Sequence, residues 1–230
     1  MISIIFCYTL FKTIQLRRSY PMIKQNSIEE FLISLSSKSP IPGGGGACAL
    51  GGAIGSSLGS MVGNLTLGKK KYLSVQEDIQ VLLEKLSQNT SELLLLMDKD
   101  AHAFEPLSKA YALPKETEEE KLYKEQVMEK CLYDASLVPL EIMEQAYKGI
   151  LLQEEMAEKG TQIAISDVAV GVMFLRSALL GAAVNVWINT KSMKNRKVAE
   201  CLNQRVEELK QAGTQKADFI FDKVTSKLQS

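Results

Sequence analysis

Lys38-Ser39-Pro40-Ile41-Pro42-Gly43-Gly44-Gly45-Gly46, followed by Gly51, Gly55, Gly59 and Gly63, is the stretch whose reading decides the fold. Two prolines stiffen the approach, and four consecutive glycines allow close backbone contact and dihedrals that other residues avoid. Downstream the glycines recur every fourth residue, so they share one helix face and let a neighbouring backbone come near. The start of such a helix presents unpaired amides, which favour an anionic or electron-rich ligand group. Ser39 to Gly68 carries no charged residue and is long enough to span a bilayer. It is loaded with Gly, Ser and Asn, however, and no other segment is expected to be as apolar. A buried helix of a soluble bundle is therefore the expectation, not a membrane span.

Working outward, helical periodicity dominates. Ser27 and Glu30 form a capping box, with Ile28, Phe31, Leu32 and Leu35 behind it, predicting a helix from about Ser27 to Ser37. Ser74 and Glu77 predict a second box opening a long helix to about Tyr111, with a kink or break near Pro106. Thr117 and Glu120 predict a third, on a charged helix that meets Pro139 and resumes to about Lys159, where Gly160 stops it. Ser166 is expected to cap a penultimate helix carrying Gly171, Gly181, Asn185 and Asn189, and a last amphipathic helix fills roughly Asn195 to Leu228. No stretch alternates with period two. The fold expected is all-α, an up-and-down bundle of about six long helices, with the two glycine-rich helices packed closest, against each other or across a dimer interface.

The 230 residues form one domain by this reading, residues 22–230, preceded by an extension at 1–21 whose apolar run lies before Arg17 and Arg18, the reverse of a secretory signal. Lys+Arg and Asp+Glu number 27 each, so no net field draws the chain to nucleic acid or an anionic membrane. Cys7, Cys48, Cys131 and Cys201 are scattered, with no CxxC pair and no nearby histidine. They read as reduced packing residues in a cytoplasmic protein, and no metal site is expected.

Five motifs, in order, resemble one family. They are Lys38 to Gly45 with Gly51-Gly52-Ala53-Ile54-Gly55; Met61 to Tyr72; Asp98-Lys99-Asp100-Ala101-His102-Ala103-Phe104; Leu113 to Lys121; and Ser166-Asp167-Val168 with Gly181 to Asn189. From Met22 onward the chain is similar to the formimidoyltetrahydrofolate cyclodeaminase and methenyltetrahydrofolate cyclohydrolase family. One departure is Gly46, where many members carry Ser. The resemblance implies a homodimer, a tetrahydrofolate derivative as substrate, and no prosthetic group, metal or redox cofactor. Two reactions follow from it. One closes 5-formimidoyltetrahydrofolate to the 5,10-methenyl form with loss of ammonia; the other opens the methenyl ring with water to 10-formyltetrahydrofolate. A separate formiminotransferase would supply the formimidoyl substrate. The alternative is a catalytically silent folate-binding or assembly subunit.

Both reactions need a proton carrier near a tetrahedral carbon. Asp100 is the first candidate, aligned at helical spacing with Leu96, Ala103, Phe104 and Leu107 on an apolar face that would raise its pKa. The competing reading is a buried aspartate satisfied by a neighbouring helix's amide or lysine. His102, the single imidazole, reads better as a surface or satisfied histidine, with Asp98 one turn away. The binding candidates are Ser39, Pro42, Gly43, Gly44 and Gly45 in the loop, Asn64, Lys69, Lys70 and Tyr72 after the glycine helix, and Asp167, Asn185 and Asn189. Asp167 is equally a first-turn carboxylate stabilised by the helix dipole. Asn185 and Asn189 share a face that opens a groove for a planar ligand, or bridge helices. The lysines with Tyr72 suit the glutamate carboxylates of folate.

Overall fold

The computed structural model describes residues 22–229; the N-terminal extension at 1–21, Cys7 included, lies outside them. Among the described residues there are six α-helices and no strand: α1 Ile28–Leu35, α2 Gly44–Thr66, α3 Gln76–Tyr111, α4 Glu118–Lys159, α5 Ile165–Ser192 and α6 Arg196–Gln229. Five are long, and α1 has only eight residues. Helices α2, α3, α4 and α5 form an antiparallel four-helix bundle, and α6 lies along α5 and α4.

Two of the three expected capping boxes form, Ser27 with Glu30 and Thr117 with Glu120. The third does not. Lys70–Val75 winds into a 3-10 turn, so α3 opens at Gln76 behind Val75. The Gln76 side chain takes over the local pairing, accepting from Gly68 N–H at 2.7 Å and donating to Tyr72 O at 2.8 Å. Ser166 is likewise no cap: the 3-10 turn Gln162–Ala164 leads into α5, and Ala164 is its N-cap. Neither proline breaks its helix. α3 runs through Pro106 and α4 through Pro139. Proline has no N–H for the carbonyl four residues back, and for Pro139 that carbonyl, Ala135 O, accepts instead from Asn189 Nδ2 at 3.0 Å.

The two glycine-rich helices pack against each other within the chain. A Cβ on Gly55 would fall 2.6 Å from Gly171 O, and one on Gly171 would fall 2.8 Å from Gly55 O. Gln153 of α4, fully buried, fills the crossing and donates to Gly55 O at 2.7 Å. The pairing is antiparallel: Gly44 faces Asn185, Gly52 faces Ala178, and Gly160 lies against Val62. The apolarity expectation needs correcting. Among the described residues, Gln162–Ser192 is the segment long and apolar enough to cross a membrane; half of its most apolar window is buried in the bundle.

Candidate active site

The first turn of α2 has no side-chain cap of its own, because Gly43 stands at the N-cap. A group from another helix does this work. Asp100, on the face of α3 that buries Leu96 and Leu107, accepts the Gly46 N–H at 3.1 Å. The alternative reading of Asp100, satisfied by a neighbouring helix's amide, thus describes the same contact that places it at the loop. Burial pushes its pKa up to about 6, with the Gly46 N–H pulling the other way. Asp100 as a residue is half-buried.

Gly44, Gly45, Asp100 and Asn185 meet here. The whole Asp100 carboxyl group lies within 2.5 Å of where a Cβ on Gly45 would stand. Asn185 lies over Gly44, with Oδ1 3.3 Å and Nδ2 3.4 Å from the corresponding Cβ position. Its Nδ2 donates to Gly181 O of its own helix at 3.0 Å, which leaves Oδ1 as the acceptor toward α2. Pro42, after a cis Ile41–Pro42 peptide, packs under Gly46, with a Cβ there 3.5 Å from Pro42 Cβ. Ser39 braces the loop, its hydroxyl donating to Ile41 O at 2.5 Å. Asn189, one turn beyond Asn185, commits its amide N–H to the carbonyl freed by Pro139, so this candidate bridges helices.

Cys48 is a packing residue, as its sequence context suggests. A Cβ on Gly181 would lie 2.5 Å from its Sγ, and burial, with Asp100's charge adding to it, lifts the thiol to about 11. Cys48 follows the glycine run by one half-turn, on the side that Gly181 leaves open. Of the other cysteines, Cys131 is half-buried and Cys201 is exposed, so the packing reading does not extend to Cys201. His102 is exposed on α3; Asp98, on the buried side, accepts Lys24 N–H at 3.2 Å and so ties down the start of the described chain.

The remaining candidates are not brought to this place. Asn64, Lys69, Lys70, Tyr72 and Asp167 cluster at the far end of α2, a 23-residue helix of about 35 Å at the usual rise. There Lys69 Nζ donates to Thr161 Oγ1 at 3.1 Å, and Gln162 N–H donates to the Tyr72 hydroxyl at 3.1 Å. That N–H, then Thr161, and more weakly Lys71 and Lys69, hold the Tyr72 phenol below its ordinary value. Asn64 Nδ2 returns to Ser60 O, and Asp167 lies in the first turn of α5.

Comparison with known proteins bears on the family and the fold. The family model described as formiminotransferase-cyclodeaminase matches residues 27–208. The chain is 39% identical over 207 residues to a methenyltetrahydrofolate cyclohydrolase from Methylorubrum extorquens, covering 90% of this chain and 100% of that protein. It is 30% identical over 200 residues to the formimidoyltransferase-cyclodeaminase of Sus scrofa, covering 87% of this chain but 37% of that longer protein. Its fold superposes on the crystal structure of formiminotetrahydrofolate cyclodeaminase from Thermotoga maritima with a TM-score of 0.79 at 25% identity, over 90% of this chain and 99% of that one. With the glycine loop, the Asp100 helix and the asparagine helix all inside the matched span, this chain belongs to the formiminotransferase-cyclodeaminase family.

Proposed function

We propose that the protein hydrolyses 5,10-methenyltetrahydrofolate to 10-formyltetrahydrofolate, with Asp100 as the acid/base. The observation that carries this reading is a half-buried carboxylate with its pKa raised to about 6, held against a glycine-only helix start. At neutral pH Asp100 is mainly ionised and takes a proton from water as the water oxygen bonds to the methenyl carbon. The carbon–N5 bond then breaks, N5 receives that proton from Asp100, and the hydroxyl proton leaves to solvent as the formyl C=O forms. In this reading Ser39, Pro42, Gly43, Gly44, Gly45 and Asn185 bind the substrate beside Asp100. The 39% identity to a cyclohydrolase matched over its full length supports this choice.

The second reading is cyclodeamination, favoured by the likeness to the Thermotoga structure. The same carboxylate would take the N10 proton and return it to the leaving ammonia, and a separate formiminotransferase would supply the substrate. Neither reaction asks for a metal or prosthetic group, and three unpaired cysteines suit a reducing cytoplasmic setting.

The protein acts as a homodimer in this reading. Ile54 and Met61 of α2 and Val170, Phe174, Val184 and Ile188 of α5 are all exposed, an apolar strip of the kind that marks an interface. Two copies joined antiparallel across it bring the Lys69–Tyr72 end of one to the Asp100 end of the other. Lys69 and Lys70 then receive the folate glutamate carboxylates in trans, with Tyr72, Asn64 and Asp167 beside them.

The test is ultraviolet turnover of each substrate by purified protein and by Asp100→Asn. Loss of methenyl absorbance, abolished by the substitution, is expected. A folded dimer silent toward both substrates would contradict the reading and leave the silent folate-binding subunit.

A further inference from the structure

The geometry points to Gly45 as the residue that positions Asp100: its missing side chain is the socket that receives the carboxyl group. This deepens the catalytic reading and rests on it.

Gly45 is not required by backbone conformation. Among the described residues only Gly68 has a positive φ, and inside a helix alanine is intrinsically favoured over glycine. Nor is the whole glycine run under the same demand. A Cβ on Gly46 would meet only Pro42 Cβ at an ordinary 3.5 Å, one on Gly43 only Pro40 O at 3.9 Å, and one on Gly44 would press Asn185 at 3.3 Å. At Gly45 alone in the run the space is already occupied, by all three carboxyl atoms of Asp100 within 2.5 Å. Real Cβ atoms do not approach that closely, so either the helix or the carboxyl must move.

The consequence is a fixed relation between an acid/base on α3 and the backbone of α2. Seated on Gly45, Asp100 turns Oδ2 to the Gly46 N–H, and Oδ1 takes no hydrogen bond from the described residues. Oδ1 is the carboxyl atom that lies nearest the Gly45 Cβ position. A methyl group at position 45 lifts the carboxyl off the helix, breaks its bond to Gly46 and misplaces Oδ1.

The experiment is a double-mutant cycle with Gly45→Ala and Asp100→Ala, read by thermal melting, joined to kinetics of Gly45→Ala. In the parent, Gly45→Ala lowers Tm; in the Asp100→Ala background the same change raises Tm, because only helix propensity remains. Gly45→Ala also lowers kcat about 100-fold with KM changed less than about threefold, as misplacement of a reacting group does, and it shifts the pH limb assigned to Asp100. If Gly45→Ala alone does not fold, recovery of folding in the double variant supports the socket; failure of both overturns it. Equal Tm changes in the two backgrounds, or a kcat within about threefold of the parent, also overturn it. Asp100→Asn at full activity would sink the catalytic reading instead, while leaving the melting cycle to judge the socket.

Discussion

The N-terminal turn of α2 is completed by a charged group from another helix, since Asp100, 54 residues away, accepts the Gly46 N–H. Its C-terminal end is completed by neutral groups. Thr66 Oγ1 accepts Thr161 N–H at 2.8 Å and donates to Val62 O at 2.7 Å, while the Gln76 amide receives Gly68 N–H. The positive charge there, Lys69 and Lys70, sits outside the helix and near solvent. Neutral capping simply holds a helix end. A carboxylate half-buried against the Gly46 amide carries a desolvation cost that a helix end does not require, and that excess at one end supports the catalytic reading of Asp100. In the proposed reading, the other end holds the charge of the folate glutamates.

This contrast can be broken at several points. Reversing charge at the far end, Lys69→Glu with Lys70→Glu, should lower kcat/KM for a folate substrate about 100-fold, since two charge-assisted contacts are lost and replaced by repulsion. Most of the change should lie in KM, measured by steady-state kinetics. Mixing that variant with Asp100→Asn should restore about a quarter of the parent activity, because half of randomly formed dimers are mixed and one of their two sites is intact. No recovery on mixing would separate the two ends functionally.

Smaller effects concern stability. Gly171→Ala should cost about 2–3 kcal/mol in denaturant unfolding, because the methyl meets Gly55 O and Gln153 where the two glycine-rich helices cross. Asp100→Asn should stabilise the protein at pH 7 by about 1–2 kcal/mol, part of the value a fully desolvated group would give. The sign follows from a folded pKa raised from 3.8 to about 6: between those values the folded state binds more protons, so stability falls as pH rises. The gain of Asp100→Asn should therefore vanish below about pH 4. Tyr72→Phe, which removes the acceptor of the Gln162 N–H, should cost about 1 kcal/mol or less.

Much of the fold was legible because it depends on local patterns. The Ser27 and Thr117 boxes, the Gly160 stop and the apolar faces of α3 and α6 are decided within a few residues. Where tertiary pairing competes, local signals failed. Ser74 and Ser166 lost their capping roles to 3-10 turns, one braced by Gln76. Pro139 stayed inside α4 because its buried ring is packed in the bundle and Asn189 satisfies the carbonyl it orphans. Asp100 was legible from its place on an apolar face. That Asn64, Lys69, Lys70, Tyr72 and Asp167 lie a helix length away was not, because motif order along the chain does not reveal that α2 separates them. Cys48 was legible as a packing residue but its partner was not, because the gap it fills is left by Gly181, 133 residues later in the chain.

The most direct test of the account is the pH dependence of kcat for methenyltetrahydrofolate hydrolysis, measured above the uncatalysed rate, in the parent and in Asp100→Asn. The account predicts a rate that rises through pH near 6 and levels above it as Asp100 ionises, and a low, flat profile in the variant. The same limb persisting in Asp100→Asn, at comparable rate, would show that another group moves the proton.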